Sequence, residues 1–254
     1  MVLESKKKSW LKIFAPVTLL VVILLVLEWY VEAYQVPSWL FVPPHTWFRA
    51  LTENWHAIWP NFLITLGEIL AGYCVAVPVG MLVAVLLTQF RTIGKAFSPY
   101  VIAIISTPLV ILVPLLTIWM GLGIQVKIMA VTLQSFSIVN MNCTNGFNNI
   151  DPLKMELMKT VGATRWQRLK YVILPSSLPN IFNGMRMSAI SACTAALATE
   201  FYSSTSGLGA SILYASSYLK NDMMFACIIM VCLTGVILYL IPSLVEKLVV
   251  RWKL

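Results

Sequence analysis

The chain has 254 residues, of which 59% are hydrophobic and 11% are charged, and its formal net charge is +8. Soluble domains carry about 25% charged residues, so this composition excludes a soluble domain and indicates a membrane protein. The positive charge does not indicate nucleic-acid binding, because the basic residues lie in loops between apolar segments, where membrane orientation explains them.

Six apolar segments are long enough to cross a bilayer core, which takes about 20 helical residues. They predict transmembrane helices over residues 13–31, 62–87, 97–120, 124–142, 178–202 and 224–245. The first segment follows four lysines, but it is longer than the apolar region of a signal peptide and no small-residue cleavage site follows it. We therefore predict an all-α membrane protein with a single transmembrane domain over residues 1–254.

The distribution of basic residues predicts the orientation. With both termini in the cytosol, fourteen basic residues lie inside and two, Arg49 and Lys220, lie outside. The inside set is Lys6, Lys7, Lys8, Lys12, Arg91, Lys95, Lys154, Lys159, Arg165, Arg168, Lys170, Lys247, Arg251 and Lys253.

The outside loop over residues 35–60 is rich in tryptophan. Its amphipathic aromatic side chains predict a helix lying at the level of the lipid headgroups. These residues are Trp39, Trp47, Trp55 and Trp59.

Polar and charged residues interrupt the spans, where they are costly and therefore mark candidates for function. The fourth span is the most polar, and hydrogen bonding between helices and lining of a water-filled route are equally good interpretations of it. For the charged positions a structural hydrogen bond is at least as good an interpretation as contact with a substrate. The candidate pathway residues are Glu68, Gln134, Asn140, Arg186 and Glu200.

No sequence motif indicates catalysis or a metal. A phosphate-binding loop of the form G-x-x-x-x-G-K-[ST] is absent, as are the usual zinc and redox motifs. The five cysteines are predicted to pack as small hydrophobes. His45 and His56 share one loop without a ligand cluster in the sequence around them, so no metal site is predicted. No dense group of basic residues predicts a pocket for an anionic substrate.

Residues 151–175, here called the arm, are a polar insert between two apolar spans. Asp151 is a predicted N-cap with Pro152 at the first helical position, and Gly162 is predicted to end that helix in the left-handed conformation. Thr164 and Gln167 predict a capping box that starts a second helix, which should stop before Pro175. The arm is therefore predicted to be a helix pair in the cytosol.

The arm also carries the pattern of a known family. Glu156, Gly162 six residues later and Pro175 thirteen residues further on match a cytoplasmic loop signature of E-A-A, three residues, G, and a spaced I-x-L-P. Similarity to the branch that imports sulfonates, nitrate, taurine and thiamine precursors extends over Gly162–Arg168, Val36–Pro44, Ile118–Gly123 and Glu200–Gly209. The chain thus resembles permease subunits of binding-protein-dependent ABC importers. Leu157 and Met158 depart from the signature, which has alanine at both positions.

The resemblance implies six transmembrane helices in a type I ABC importer permease-like bundle, with the arm as a cytoplasmic coupling helix pair. The chain itself would be non-catalytic and without a cofactor, because ATP and Mg would be bound by a separate ATPase subunit that receives the arm. The residues implied in this coupling are Glu156, Leu157, Gly162, Ala163, Thr164, Arg165, Trp166 and Pro175.

Further implied partners are a second permease copy, identical or related, and an extracytoplasmic substrate-binding protein, at the bacterial cytoplasmic (inner) membrane. The solute would be a small one. Two alternatives stay open: a stand-alone ion-coupled secondary transporter or channel with Glu68 or Glu200 as the relay, and a structural subunit that transports nothing.

Overall fold

The computed structural model describes residues 2–203 and 205–250, and their regular structure is helical. The helices are α1 (Val2–Ala33), α2 (Pro44–Glu53), α3 (Trp55–Gln89), α4 (Arg91–Ser106), α5 (Leu109–Met120), α6 (Ile124–Asn148), α7 (Pro152–Thr160), α8 (Arg165–Arg168), α9 (Leu174–Ser203), α10 (Leu208–Ser217) and α11 (Asn221–Val249). Of the basic residues used to predict orientation, Arg251 and Lys253 lie outside the described residues, as do the side chains of Lys6, Lys7, Lys8, Lys12 and Arg91.

Four of these helices are long and apolar enough to cross a membrane, namely α1 from Ala15, α3, α6 and α11. They contain four of the predicted spans. Helix α9, which contains the predicted span 178–202, is not among them. Helix α9 is less apolar than these four helices because it buries small and polar residues, such as Ala192, Ala196 and Thr199, inside the protein.

The predicted span over residues 97–120 consists of two helices instead of one. Helices α4 and α5 meet at an angle of 101°, and counting the pair as one span would give a fifth crossing. The break lies at Thr107 and Pro108, where Thr107 has an extended ψ of 119°. A residue before proline is disfavoured in the helical conformation, so the dipeptide ends α4.

The chain forms two compact units, the first made of Met1–Trp59 and Ser211–Ile228 and the second of Pro60–Ala210 and Ile229–Leu254. In the first unit Trp47 stacks on Phe225 with ring centroids 4.6 Å apart, and Phe41 packs edge-on against both. Trp47 is only 8% exposed, so it is a core residue and not the headgroup-level side chain predicted, whereas Trp39 stays 62% exposed.

Helix α6 lies at the centre of the second unit and packs mainly against α9. Glycines permit this close packing, because a Cβ on Gly184 of α9 would lie only 2.8 Å from the Cβ of Asn142. Likewise, a Cβ on Gly72 of α3 would lie 2.6 Å from the Cβ of Val131 of α6. Small residues at helix contacts are typical of membrane bundles.

The cysteines divide into two groups. Cys143, Cys193 and Cys227 are buried, which agrees with their predicted packing as small hydrophobes, while Cys74 and Cys232 are exposed.

Candidate functional site

The first helix of the arm has the predicted start and end. The Asp151 carboxylate accepts a hydrogen bond from the backbone N–H of Leu153 at 2.9 Å, with Pro152 at the first helical position. At the other end Gly162 has a φ of +69°. The N–H of Ala163 donates to the carbonyl of Met158 at 2.9 Å, and that of Gly162 to the carbonyl of Lys159 at 3.0 Å. This pair of bonds is a Schellman motif, which explains why the helix ends at a glycine.

The second helix starts as predicted but does not end as predicted. Thr164 and Gln167 form a reciprocal capping box. The prediction that the helix stops before Pro175 is wrong, because α8 passes through a π-helical turn over Leu169–Ile173 directly into α9. A proline ring in an α-helix clashes with the carbonyl four residues earlier, and the wider π turn displaces that carbonyl. The arm is therefore continuous with α9.

Two side chains in the π turn anchor the arm to the second unit. Leu169 and Ile173 are 4% and 8% exposed and belong to one apolar cluster with Val139 and Cys143 of α6 and Ile181 of α9. Burial of two large aliphatic side chains stabilises this attachment by about 3–6 kcal/mol.

The rest of the arm exposes its apolar side chains. Leu153 is 73% exposed, Leu157 65%, Val161 67% and Trp166 67%. Helices α7 and α8 have no buried residues. The signature residue Glu156 is exposed as well, and Ala163 is half-buried. Several exposed apolar side chains on an anchored element are typical of a protein interaction site.

A buried charge network occupies another part of the second unit. Lys127 Nζ donates to Glu68 Oε1 at 2.7 Å, and Thr65 donates its hydroxyl to Glu200 Oε1 at 2.7 Å. Glu68 and Glu200 are 1% and 0% exposed, and Lys127 is 9% exposed. Burying charge is expensive, so each carboxylate has partners: Glu68 pairs with the Lys127 ammonium, and Glu200 accepts hydrogen bonds from Thr65 and from the N–H of Gly209.

The network also holds the loop between α9 and α10. The N–H of Gly209 donates to Glu200 Oε2 at 2.6 Å, and the N–H of Leu208 donates to Thr65 Oγ1 at 2.8 Å. The N–H of Gly207 donates to Asn61 Oδ1 at 2.7 Å. Helix α3, through Asn61 and Thr65, thus fixes the first turn of α10.

The other candidate pathway residues take different positions. Asn140 is 2% exposed and donates to the carbonyl of Gly80 at 3.3 Å, which is a contact between α6 and α3. Arg186 of α9 forms an ion pair with Glu246 of α11. Gln134 is half-buried. The structure does not bring these three side chains together with Glu68 and Glu200.

The second unit has a cleft of about 1360 Å³ between the end of α3, α4, the end of α6 and the arm. We call it the basic cleft, because its charged lining residues are Lys95, Lys159, Arg165 and Arg168. The sequence shows no dense group of basic residues that would predict this cleft, and whether the substrate is an anion stays untested. Lys95 and Lys159 are 64 positions apart in the sequence, so the cluster forms only on folding.

The family model for the binding-protein-dependent transport system inner membrane component matches residues 76–251 of this chain. The chain belongs to this family. It is an inner-membrane permease component that serves the import of small solutes. The resemblance drawn from the arm is confirmed.

Relatives of this permease agree with the assignment. It is 30% identical over 250 residues to the riboflavin transport system permease protein RibX of Chloroflexus aurantiacus, covering 96% of this chain and 92% of that protein. It is 26% identical over 238 residues to the taurine transport system permease protein TauC of Escherichia coli, covering 91% and 86%.

A solved structure shows the same fold. The permease matches a chain of the MetNI methionine ABC transporter in an inward-facing conformation, with a TM-score of 0.61 and 20% identity. The match covers 82% of this chain and 99% of that one.

One further cluster in this permease was not foreseen. In the first unit, ligand atoms of Glu28, Glu32 and His45 all lie within 4.8 Å of one another. Glu28 contacts His45 twice, accepting from its backbone N–H at 3.0 Å and from its ring. The carboxylates lie 17 and 13 positions before His45, so the spacing rules for metal motifs do not detect them. Glu28 and His45 already satisfy each other, and the prediction of no metal site stays a prediction.

Proposed function

We propose that this permease subunit couples solute import to ATP hydrolysis in a separate ATPase subunit, which receives the arm. The observation that carries the proposal is the apolar face formed by Leu153, Leu157, Val161 and Trp166, left exposed on an element whose base is buried. Exposed aromatic and aliphatic anchors with a charged rim suit a protein partner. The rim charges on the arm are Glu156, Lys159 and Arg165.

The arm is suited to transmit motion because it has no hinge at Pro175. Helix α9 continues from the π turn for 30 residues to Ser203, a length of about 45 Å. Glu200 lies near the far end of this helix and binds the loop that begins α10. Displacement of the arm by a partner would therefore move the Glu200 end of α9 as well. A partner that binds the arm more tightly in one of two conformations shifts the permease towards that conformation.

The proposed site of solute passage lies along α3, α6 and α9. Glu68, Gln134, Asn140, Arg186 and Glu200 stay our candidate residues for it. The buried pairing of Glu68 with Lys127 supports a gating role, since a closed charge network must rearrange to admit a polar solute.

We propose six spans, with α9 as the fifth and the bent pair α4–α5 as the third. Both termini and the arm would face the cytosol, by the distribution of basic residues. The pathway would need a second permease copy, because the exposed faces of a single bundle cannot enclose a polar route. An extracytoplasmic substrate-binding protein would deliver the solute. ATP and Mg would be bound by the ATPase subunit and none by this chain.

The solute itself is proposed only as a class. The relatives named for riboflavin and for taurine suggest a small polar molecule, within a range that includes sulfonates, nitrate and thiamine precursors.

Copurification with the ATPase subunit tests the coupling. We expect Leu157→Asp and Trp166→Asp to abolish copurification, because each places a charge on the apolar face. The matched controls Leu157→Met and Trp166→Phe keep that face apolar and should copurify as the unmodified chain does. Equal recovery of the ATPase with all four variants would contradict the proposal.

The rival is an ion-coupled transporter that acts alone, and the buried carboxylates Glu68 and Glu200 are the observation that favours it. It predicts uptake by the purified chain in liposomes under an ion gradient without ATP. The proposal predicts no uptake until the ATPase subunit and ATP are present.

A further inference from the structure

The basic cleft carries an excess of positive charge that the protein does not neutralise. Lys95 comes from α4, and Lys159, Arg165 and Arg168 come from the arm. No aspartate or glutamate is among its lining residues in the described part of the chain. Two other cations of the same unit have carboxylate partners: Lys127 pairs with Glu68 and Arg186 with Glu246. The cleft therefore gathers four cations without a carboxylate among its described lining residues.

Two polar atoms in the cleft lack partners. Arg168 Nε and Thr144 Oγ1 are buried and form no hydrogen bond within the described residues, and both residues line the cleft. A buried polar group without a partner costs about 1–3 kcal/mol, so native structures rarely leave one unused. A guanidinium and a hydroxyl are both donors to an anionic oxygen.

The wall beside these cations is apolar. Val101, Ile102 and Ile105 of α4 line the cleft, and Ile102 is 59% exposed. On the same helix, between Lys95 and Val101, Phe97 and Tyr100 are 56% and 69% exposed but do not line the cleft. The cleft thus combines donors for an anion with an adjoining apolar wall on α4, which suits a molecule with a charged head and a hydrocarbon tail.

We propose that the basic cleft binds the phosphate headgroup of an anionic phospholipid, whose acyl chain lies along α4. Arginine forms paired hydrogen bonds with phosphate oxygens, and basic pockets between transmembrane helices on the cytoplasmic side bind anionic headgroups. The assignment to the inner leaflet rests on the proposed function, which places the arm in the cytosol.

A lipid in this position connects two elements that otherwise have separate roles. Lys95 belongs to α4, and Lys159 and Arg168 belong to the arm. A phosphate shared by both would fix the arm relative to the bundle and so stabilise one arm position over another. The ligand thereby acts on the element that we propose to be the coupling device.

The test measures lipid binding by the purified full chain in phosphatidylcholine nanodiscs that contain a trace of spin-labelled phosphatidylglycerol. The first test variant is the double substitution Lys95→Gln with Arg168→Gln. The second is Lys95→Gln with Lys159→Gln, and because both of its positions are exposed, we expect it to fold normally. The control, Lys154→Gln with Lys170→Gln, also removes two positive charges, both from arm residues that do not line the cleft. We expect phosphatidylglycerol binding to weaken about fivefold for each cation removed from the cleft. The control variant should bind as the unmodified chain does.

Equal loss in the control and test variants would overturn the proposal, because binding would then reflect the general charge of the arm. Displacement of the labelled lipid by millimolar glycerol phosphate would assign the site to a free phosphate ester instead of a lipid and would also overturn it. The measurement uses no ATPase subunit, so its result is separate from that of the copurification test.

Discussion

Gly207 lies directly against the carboxyl group of Glu200. A Cβ atom on Gly207 would be 2.0 Å from Glu200 Oε1, and the backbone φ of +108° is one that residues with side chains rarely adopt. Position 207 therefore accepts only glycine while Glu200 keeps its hydrogen bonds to Thr65 and Gly209. The absence of a side chain at position 207 thus leaves the space that the Glu200 carboxylate occupies.

Substitution of Gly207 tests this fit. We expect Gly207→Ala to lower the free energy of unfolding by about 2–5 kcal/mol, from backbone strain and steric overlap together. Gly121→Ala is the matched control, since Gly121 also has a positive φ, of +78°, but open space around its Cβ position. The control should lose only about 1–2 kcal/mol. Thermal unfolding of the purified chains in detergent measures both, and equal losses would contradict the contact.

The pair formed by Glu68 and Lys127 can be tested by removing one partner or both. We expect Lys127→Met to destabilise the fold by about 3–5 kcal/mol, because it leaves a buried carboxylate without its cation. The double variant Lys127→Met with Glu68→Gln should recover most of this loss. Thermal unfolding of the single and double variants gives the coupling energy, and simple additivity would show that the pair does not interact as described.

Substitutions at Gly162 test the backbone conformation of the turn without a steric clash from the new side chain. Its φ is +69° and nothing lies within 4 Å of a Cβ at this position. Asparagine tolerates the left-handed conformation and a β-branched residue does not. Gly162→Val should therefore impair ATPase stimulation in the assembled complex while Gly162→Asn retains most of it. Retained stimulation in the valine variant would show that the turn does not matter for coupling.

Cysteine labelling in intact cells tests the orientation. In a background without the five native cysteines, Lys154→Cys should resist a membrane-impermeant maleimide, because the arm is predicted to face the cytosol. Lys220→Cys should react, because its loop is predicted to lie outside. The reverse pattern would place the arm on the wrong side for an ATPase.

Local chemistry in the arm was predictable from the sequence. Asp151, Gly162 and Thr164 act through hydrogen bonds to residues within five positions, so capping rules sufficed. The end before Pro175 was mispredicted, because the π turn that accommodates the proline depends on burying Leu169 and Ile173 against other helices. A local rule cannot include that packing.

Contacts between distant segments were not predictable. Glu68 and Glu200 were candidates because they are charged residues in spans, but their partners lie far away in the sequence. Lys127 is 59 positions from Glu68, and Thr65 is 135 positions from Glu200. The basic cleft was not predictable for the same reason. Lys95 and Arg168 lie far apart in the sequence and line one cleft only in the folded protein.

Photocrosslinking from the arm tests whether residues 151–175 contact the ATPase subunit. With a benzophenone amino acid at position 166, in place of Trp166, the account predicts a crosslink to the ATPase subunit in the assembled complex. The same probe in place of Tyr218, an exposed residue of the first unit, should give none. A complex that hydrolyses ATP and yet gives no crosslink from position 166 or 157 would contradict coupling through residues 151–175.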